Sequence, residues 1–236
     1  MSEFTIKDPN ICLSFEKTGS CPKGDQCTKS HKIPTICRCL VFHHLYPDPR
    51  LFCKMVPSGV IEIGDDENQH LIDAFFLDIV VQLNIYGPLD DLLICSNLVD
   101  HLCGNVIAIY KEADAAMMAY QHLRNKYYAG RKISVTFAPI QRVSTTVCRE
   151  FATGQCTNGN KCQFIHPAEP SYFIYNECFP RCFKSYPDIF RKGREKRIVD
   201  NPNEILGGKT RKKLDPEAYN PETFPKVPLD FYKSTS

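Results

Sequence analysis

The chain has 236 residues and a formal net charge of +2, enough for one ordinary domain with small appendages. No stretch approaches the ~18 apolar residues of a membrane span, and Met1 is not followed by the long apolar run of a signal peptide. A soluble protein of a reducing compartment is expected, with no membrane partner.

The small net charge hides an asymmetry. Residues 35–140 carry eight Lys/Arg against twelve Asp/Glu, whereas 171–236 carry thirteen against nine. An acidic middle and a basic tail argue for different partners at different surfaces.

The first element, 8–34, holds Cys12, Cys21, Cys27 and His31 in the spacing C-x8-C-x5-C-x3-H. Three thiolates and an imidazole form a closed tetrahedral set for zinc, with no position left for a reacting water. Such a short loop cannot build a core, so metal binding supplies its folding energy. The pattern recurs at 142–168 as Cys148, Cys156, Cys162 and His166, spaced C-x7-C-x5-C-x3-H. The copies share Phe15/Phe151, Gly19/Gly154 and Gly24/Gly159 at matching positions. Two structural zinc ions are therefore expected. Cys95 and Cys103 fall in expected strands and read as core, and Cys178 and Cys182 lack a partner pair for a metal site.

Between the fingers, 45–140 alternates strand and helix. A short strand is expected at 60–63, followed by Asp65, Asp66 and Glu67 at a helix start, where the macrodipole favours acids. Leu71, Phe75, Phe76, Ile79, Leu83 and Tyr86 continue at helical spacing until Gly87 and Pro88. Strands are expected at 92–95 and 104–110. A second helix carries Ala113, Ala116, Met117, Tyr120 and Leu123, and Gly130 turns into a last strand at 133–137. The order βαββαβ predicts an α+β, ferredoxin-like domain of the RNA-recognition type, flanked by the two fingers. In the RNA-binding signature, two positions of the third strand carry stacking rings. Here they hold Asn105 and Ile107. With no ring and an acidic balance, the sheet is a poor RNA platform, and a protein-binding role is expected.

After the second finger, 169–236 forms a basic, proline-containing extension. Tyr172, Phe173, Tyr175 and Phe179 suggest a helix docking back on the domain. The runs at 191–197 and 211–213 read as a nuclear address, RNA-backbone contacts or a solvated extension. No Gly-rich phosphate loop, nucleophile elbow or open metal site appears, so no enzymatic activity is expected.

The stretch ICSNLVDHLCGNV at 94–106, the second finger and the order finger–domain–finger resemble the small subunit of the U2 auxiliary factor (U2AF). The resemblance covers about 10–168. It implies a nuclear pre-mRNA splicing subunit whose fingers sit together on one side of the central domain and read the AG of the 3′ splice site. The central U2AF-homology motif would grip a tryptophan-bearing segment of the U2AF large subunit, and other spliceosomal proteins would join. By position, Lys126, Tyr127 and Tyr128 match the family's Arg-x-Phe loop, and Asp78 an acidic residue of the first helix. Lys for Arg and Tyr for Phe alter that grip, since Lys and Arg stack differently. Thr28 and Lys29 match a Ser-Arg pair, while Ser14 and Pro22 depart from the pattern. For single-stranded RNA, Phe15, Phe151 and Phe164 are candidate stacking rings, and Lys29, Arg149 and Lys161 candidate contacts to phosphate or base edges. The alternative for Phe15 and Phe151 is to cover their zinc sites. A small-subunit-like factor of U12-type introns and a CCCH regulator of mRNA stability remain open.

Overall fold

The computed structural model describes residues 9–49 and 64–179. The strand expected at 60–63 and the basic runs at 191–197 and 211–213 lie outside the described residues, as does Cys182.

In chain order the elements are α1 (Leu13–Thr18), β1 (Cys39–His43), α2 (Asp65–Asn84), β2 (Leu89–Cys95), β3 (Val106–Tyr110) and α3 (Ala113–Leu123). A small hairpin follows, β4 (Tyr127–Tyr128) and β5 (Arg131–Lys132), then β6 (Ser134–Phe137), α4 (Arg149–Ala152), β7 (Pro167–Ala168) and α5 (Tyr172–Cys178). The main sheet runs β6-β1-β3-β2-β7, antiparallel throughout. Its first four strands have the order of a ferredoxin-like domain. β7, the last two residues of finger two, covers the edge of β2 through the pairs Ile94–Ala168 and Cys95–Pro167. The fold is α+β, as expected. No helix among the described residues is long and apolar enough to cross a membrane.

One element differs from expectation. β1 is CLVFH at Cys39–His43, before the expected domain boundary at 45, and it lies in the sheet centre between β3 and β6. A strand buried on both faces is apolar at every position and lacks the alternation that marks a half-solvated strand. Cys39, Leu40, Val41 and Phe42 are all at most 1% exposed.

Both faces of the sheet are covered. Leu40, Phe42, Leu92, Ile94, Val106, Ala108, Tyr110, Val135 and Phe137 pack with Ile72, Phe75, Phe76, Ile79 and Leu83 of α2 and with Ala116 and Ala119 of α3. The alternate residues Cys39, Val41, Leu93, Cys95, Ile107 and Ile109 face the other way. There they meet Ala138, Ile140, Val143 and, from the second finger, Val147, Ala152 and Ile165. Finger one approaches the same face at Gly19, where φ is +70° and a Cβ would stand 2.6 Å from Val41 Cγ2. Only glycine suits both the left-handed turn and that approach.

The expected docking helix is α5. Ser171 stands at its N-cap position and ties it to α2, donating its backbone N–H to Asp73 Oδ1 at 2.6 Å and its hydroxyl to Asp73 Oδ2. Tyr175 and Phe179 pack on Phe76, while Tyr172 and Phe173 stay exposed. The Tyr175 hydroxyl donates to Asp91 Oδ1 at 2.9 Å. Burial pushes the Asp91 carboxyl up to about 7, against the hydrogen bonds from Tyr175 and the Leu92 N–H.

A raised folded-state value means that the unfolded chain ionises first, near 3.8. The contribution of Asp91 is then fullest below that value and is lost as pH rises toward about 7. Asp91→Asn keeps an acceptor for Tyr175 and cannot ionise. The variant is expected to melt above the parent at pH 8 and to lose this part of the pH dependence, as read by melting curves from pH 4 to 8. A gap between variant and parent that does not widen with pH would contradict the assignment.

Candidate zinc centres and RNA-binding face

The two fingers are built alike. In each, a short parallel bridge brings the chain before the first cysteine beside the chain before the histidine, Ile11 with Ser30 and Val147 with Ile165. Cys12 N donates to Ser30 O at 3.0 Å, and Cys148 N to Ile165 O at 2.9 Å. A short helix follows each first cysteine, and a 3-10 turn precedes each third, at Gly24–Gln26 and Gly159–Lys161.

The four ligand atoms of each set lie within 4.8 Å of one another. Cys12 Sγ and Cys21 Sγ are 3.6 Å apart, and Cys148 Sγ and Cys162 Sγ 3.7 Å. A tetrahedral zinc with ~2.3 Å bonds to sulfur would set sulfurs about 3.8 Å apart. His31 Nε2 and His166 Nε2 are buried with no hydrogen-bond partner, a deficit that a metal bond makes good. Both sets therefore fit zinc, and the protein holds two structural zinc ions.

The thiols cannot all ionise unaided. Burial, then the neighbouring Cys148 and Cys156 thiols, push Cys162 up to about 12. Cys12 falls to about 7, because hydrogen bonds with the Phe15 backbone and with Cys21, His31 and Cys27 together outweigh its burial. A divalent cation relieves that mutual repulsion.

Phe15 stacks on His31 at 4.6 Å between centroids, with 12° between planes, and Phe151 on His166 at 4.1 Å and 19°. Both rings thus brace zinc ligands, the covering role their matching positions suggested. Phe164 is different. The residue is 43% exposed, and Lys17 of finger one places Nζ 5.1 Å from its ring centroid. That cation–π contact joins the two fingers and is worth about 0.5–1 kcal/mol at an exposed site. Thr28, Lys29, Arg149 and Lys161 are exposed. Sequence reasoning missed Lys17, which lies in no ligand spacing and gains significance only from its neighbour across the fingers.

On the opposite, helix-bearing side, the Tyr128 hydroxyl donates to Asp78 Oδ2 at 2.8 Å. A chain of rings continues inward: Tyr128 meets Phe75 edge-on at 5.8 Å, and Phe75 meets Tyr46 at 4.9 Å. Asp78 and Tyr128 are therefore brought together. Lys126 and Tyr127, on the same hairpin, are exposed.

Two zinc-finger family models match the chain, the C-x8-C-x5-C-x3-H type over 7–31 and the CCCH type over 146–167. A U2af small-subunit splicing factor of Arabidopsis thaliana is 32% identical over 182 residues, 77% of this chain and 64% of that protein. Splicing factor U2AF 26 kDa subunit is 31% identical in Rattus norvegicus, covering 69% of this chain and 74% of the relative, and 30% identical in Homo sapiens, covering 75% and 81%. The match to the Arabidopsis protein thus spans just under two thirds of its length. Among solved structures, Pes4 RRM3 covers 45% of this chain and 96% of its own, at 16% identity and a TM-score of 0.28.

The two centres differ in what they support. Val147, Ala152 and Ile165 of finger two belong to the core over the sheet, and uncovering Val147 and Ile165 alone costs about 3 kcal/mol. Metal analysis should find two zinc ions in the parent and one in Cys148→Ser or Cys27→Ser. Cys148→Ser is expected to lower the melting temperature of the whole domain more than Cys27→Ser. Equal losses would mean that finger two does not hold the sheet cover in place.

Proposed function

The chain belongs to the U2AF small-subunit family, and we propose that it is a nuclear splicing-factor subunit binding RNA on one face and a larger protein on the other. Its fingers together would take single-stranded pre-mRNA at the AG of the 3′ splice site. Its helix side would take a tryptophan-bearing segment of a U2AF large subunit. The observation that carries this reading is the Lys17–Phe164 contact, which makes one surface of two fingers.

The sheet itself offers RNA no access, because its finger-side residues are buried under Val147, Ala152 and Ile165. RNA is left with the outer surface of the fingers. Phe164 supplies an exposed ring there, and base stacking on such a ring is worth about 1–3 kcal/mol. Lys17, Lys29, Arg149 and Lys161 supply cations, while Thr28 and the backbone edges of the finger loops can reach bases. Phe15 and Phe151 act behind this surface, through their histidines.

For the protein partner, the elements are a ring, a carboxylate and a cation on adjoining elements. Tyr128 lies against Phe75 and is held by Asp78, with Lys126 and Tyr127 exposed on the same hairpin. An indole suits the aromatic wall and the Lys126 ammonium. A basic flank on the same segment suits Asp78 and the acidic start of α2.

Binding of a short RNA ending in UAG against one ending in UAC, by zinc-loaded protein at fixed salt, tests the first half. About tenfold preference for UAG, strengthened by a tryptophan-bearing large-subunit peptide, is the expected result. Equal binding would sink splice-site recognition. For the second half, Tyr128→Ala should weaken the peptide about tenfold or more and leave both zinc ions in place. Unchanged peptide affinity would remove Tyr128 from the site.

A further inference from the structure

Two asparagines in the connection from β2 to β3 take no part in zinc ligation, yet they are among the most deeply buried polar residues described. Asn97 is 0% exposed and Asn105 1%. Asn97 Nδ2 donates to Cys162 O at 3.1 Å and to Phe164 O at 2.9 Å, while Oδ1 accepts from His166 N at 2.7 Å. One amide thus grips two zinc-ligand residues and the exposed ring residue between them. Ser96 adds to the hold, donating its N–H and its hydroxyl to His166 O at 2.7 and 2.9 Å.

Asn105 does the same for the other finger. Its Nδ2 donates to Ser20 Oγ at 3.1 Å and to His101 O at 2.8 Å, and its Oδ1 accepts from His44 N at 3.0 Å. Ser20 is the neighbour of the ligand Cys21. Gly104, with φ +64° and no room for a Cβ against Tyr46 O, keeps Asn105 close to the end of β1. Both amides have two donor contacts and one acceptor contact, so each has a single orientation that satisfies its neighbours.

We propose that Asn97 and Asn105 are positioning residues that lock both fingers to one short connection, and so set the mutual geometry of Lys17 and Phe164 on the RNA-binding face. A buried amide with all its partners specifies one arrangement, because any shift strands polar groups away from water. Hydrophobic contact alone, as between Ile107 and Ile165, would tolerate sliding. The RNA part of this inference rests on the proposed function; the finger orientation does not.

The test separates the two. Asn97→Ala, Asn105→Ala and Ser20→Ala are made in the full zinc-loaded chain, and zinc content is measured first. The ring-current shift of the Lys17 ε-methylene protons beneath Phe164, read by NMR, then reports finger orientation without RNA. Affinity for the UAG RNA is measured alongside. The expected result is two zinc ions retained, the ring-current shift lost, and RNA affinity reduced about tenfold. A wild-type ring-current shift in Asn97→Ala and Asn105→Ala would overturn the proposal, whatever the RNA does. Should either variant lose zinc or fail to fold, Ser20→Ala decides. It removes only the finger-side acceptor of Asn105, and a shift retained in it overturns the proposal equally. If the parent binds neither RNA while the variants lose the shift, the positioning role stands and the splice-site reading falls.

Discussion

The bonds from six cysteines and two histidines to two zinc ions are the constraint on which the rest of the molecule depends. Neither finger has enough apolar residues for a core of its own, and its ligands alone repel or orphan one another. Cys162 resists ionisation beside Cys148, and both histidines present a buried nitrogen with no protein partner. The metal turns those deficits into cohesion. Once held, each finger becomes a rigid piece that can be laid on another surface. In finger two that piece carries Val147, Ala152 and Ile165 onto Leu93 and Ile107 of the sheet. Metal coordination at the edge therefore protects a hydrophobic surface in the middle.

Covering that face changes what the sheet is for. A sheet of this type reads single-stranded RNA through exposed rings on its central strands. Here Cys39 and Val41 of β1 and Ile107 and Ile109 of β3, which face the fingers, are buried, and Leu40, Phe42, Val106, Ala108 and Tyr110 on the helix side are buried too. Under the proposed function the sheet is the wall between two binding surfaces. One is the outer side of the fingers, with Phe164 and its cations. The other is the side of α2 and the β4–β5 hairpin, with Tyr128 and Asp78. On that proposal two ligands of different chemistry would bind without competing for space, in keeping with the acidic central segment and the exposed cations of the fingers.

How much of this was legible in the sequence depends on the range of the interactions involved. Ligand spacing is local, so both zinc sets could be read directly, as could α2 and α3 from their helical spacing and β2 and β3 from their apolar runs. The matching positions of Phe15 and Phe151 carried their bracing role as well. β1 escaped because Cys39–His43 lies before the expected domain boundary at 45, and the segment at 60–63 offered a rival first strand beside the acidic helix start. The placement of Asp78 and Tyr128 came from resemblance, not from spacing, since a separation of fifty residues hides the pair. Lys17 and Asn97 were illegible for a similar reason. An ordinary lysine in a short helix and an asparagine in a loop acquire a role only when distant chain closes around them.

The positions that would carry stacking rings show how such a conversion holds together. With Ile107 and Asn105 at these positions the sheet presents no ring to a base, and the two residues act differently. Ile107 adds apolar area to the bed beneath finger two, which stabilises docking without fixing its angle. Asn105 adds little net stability, because its hydrogen bonds replace bonds to water. Its three partners, just beyond β1, on the β2–β3 connection and on finger one, instead fix a direction. Apolar contact makes the fingers stay, and buried amides determine how they lie. A ring placed at position 105 would gain a stacking surface only by displacing Ser20 and its finger. In this chain, then, a base-reading sheet and a finger-bearing sheet are mutually exclusive uses of one face.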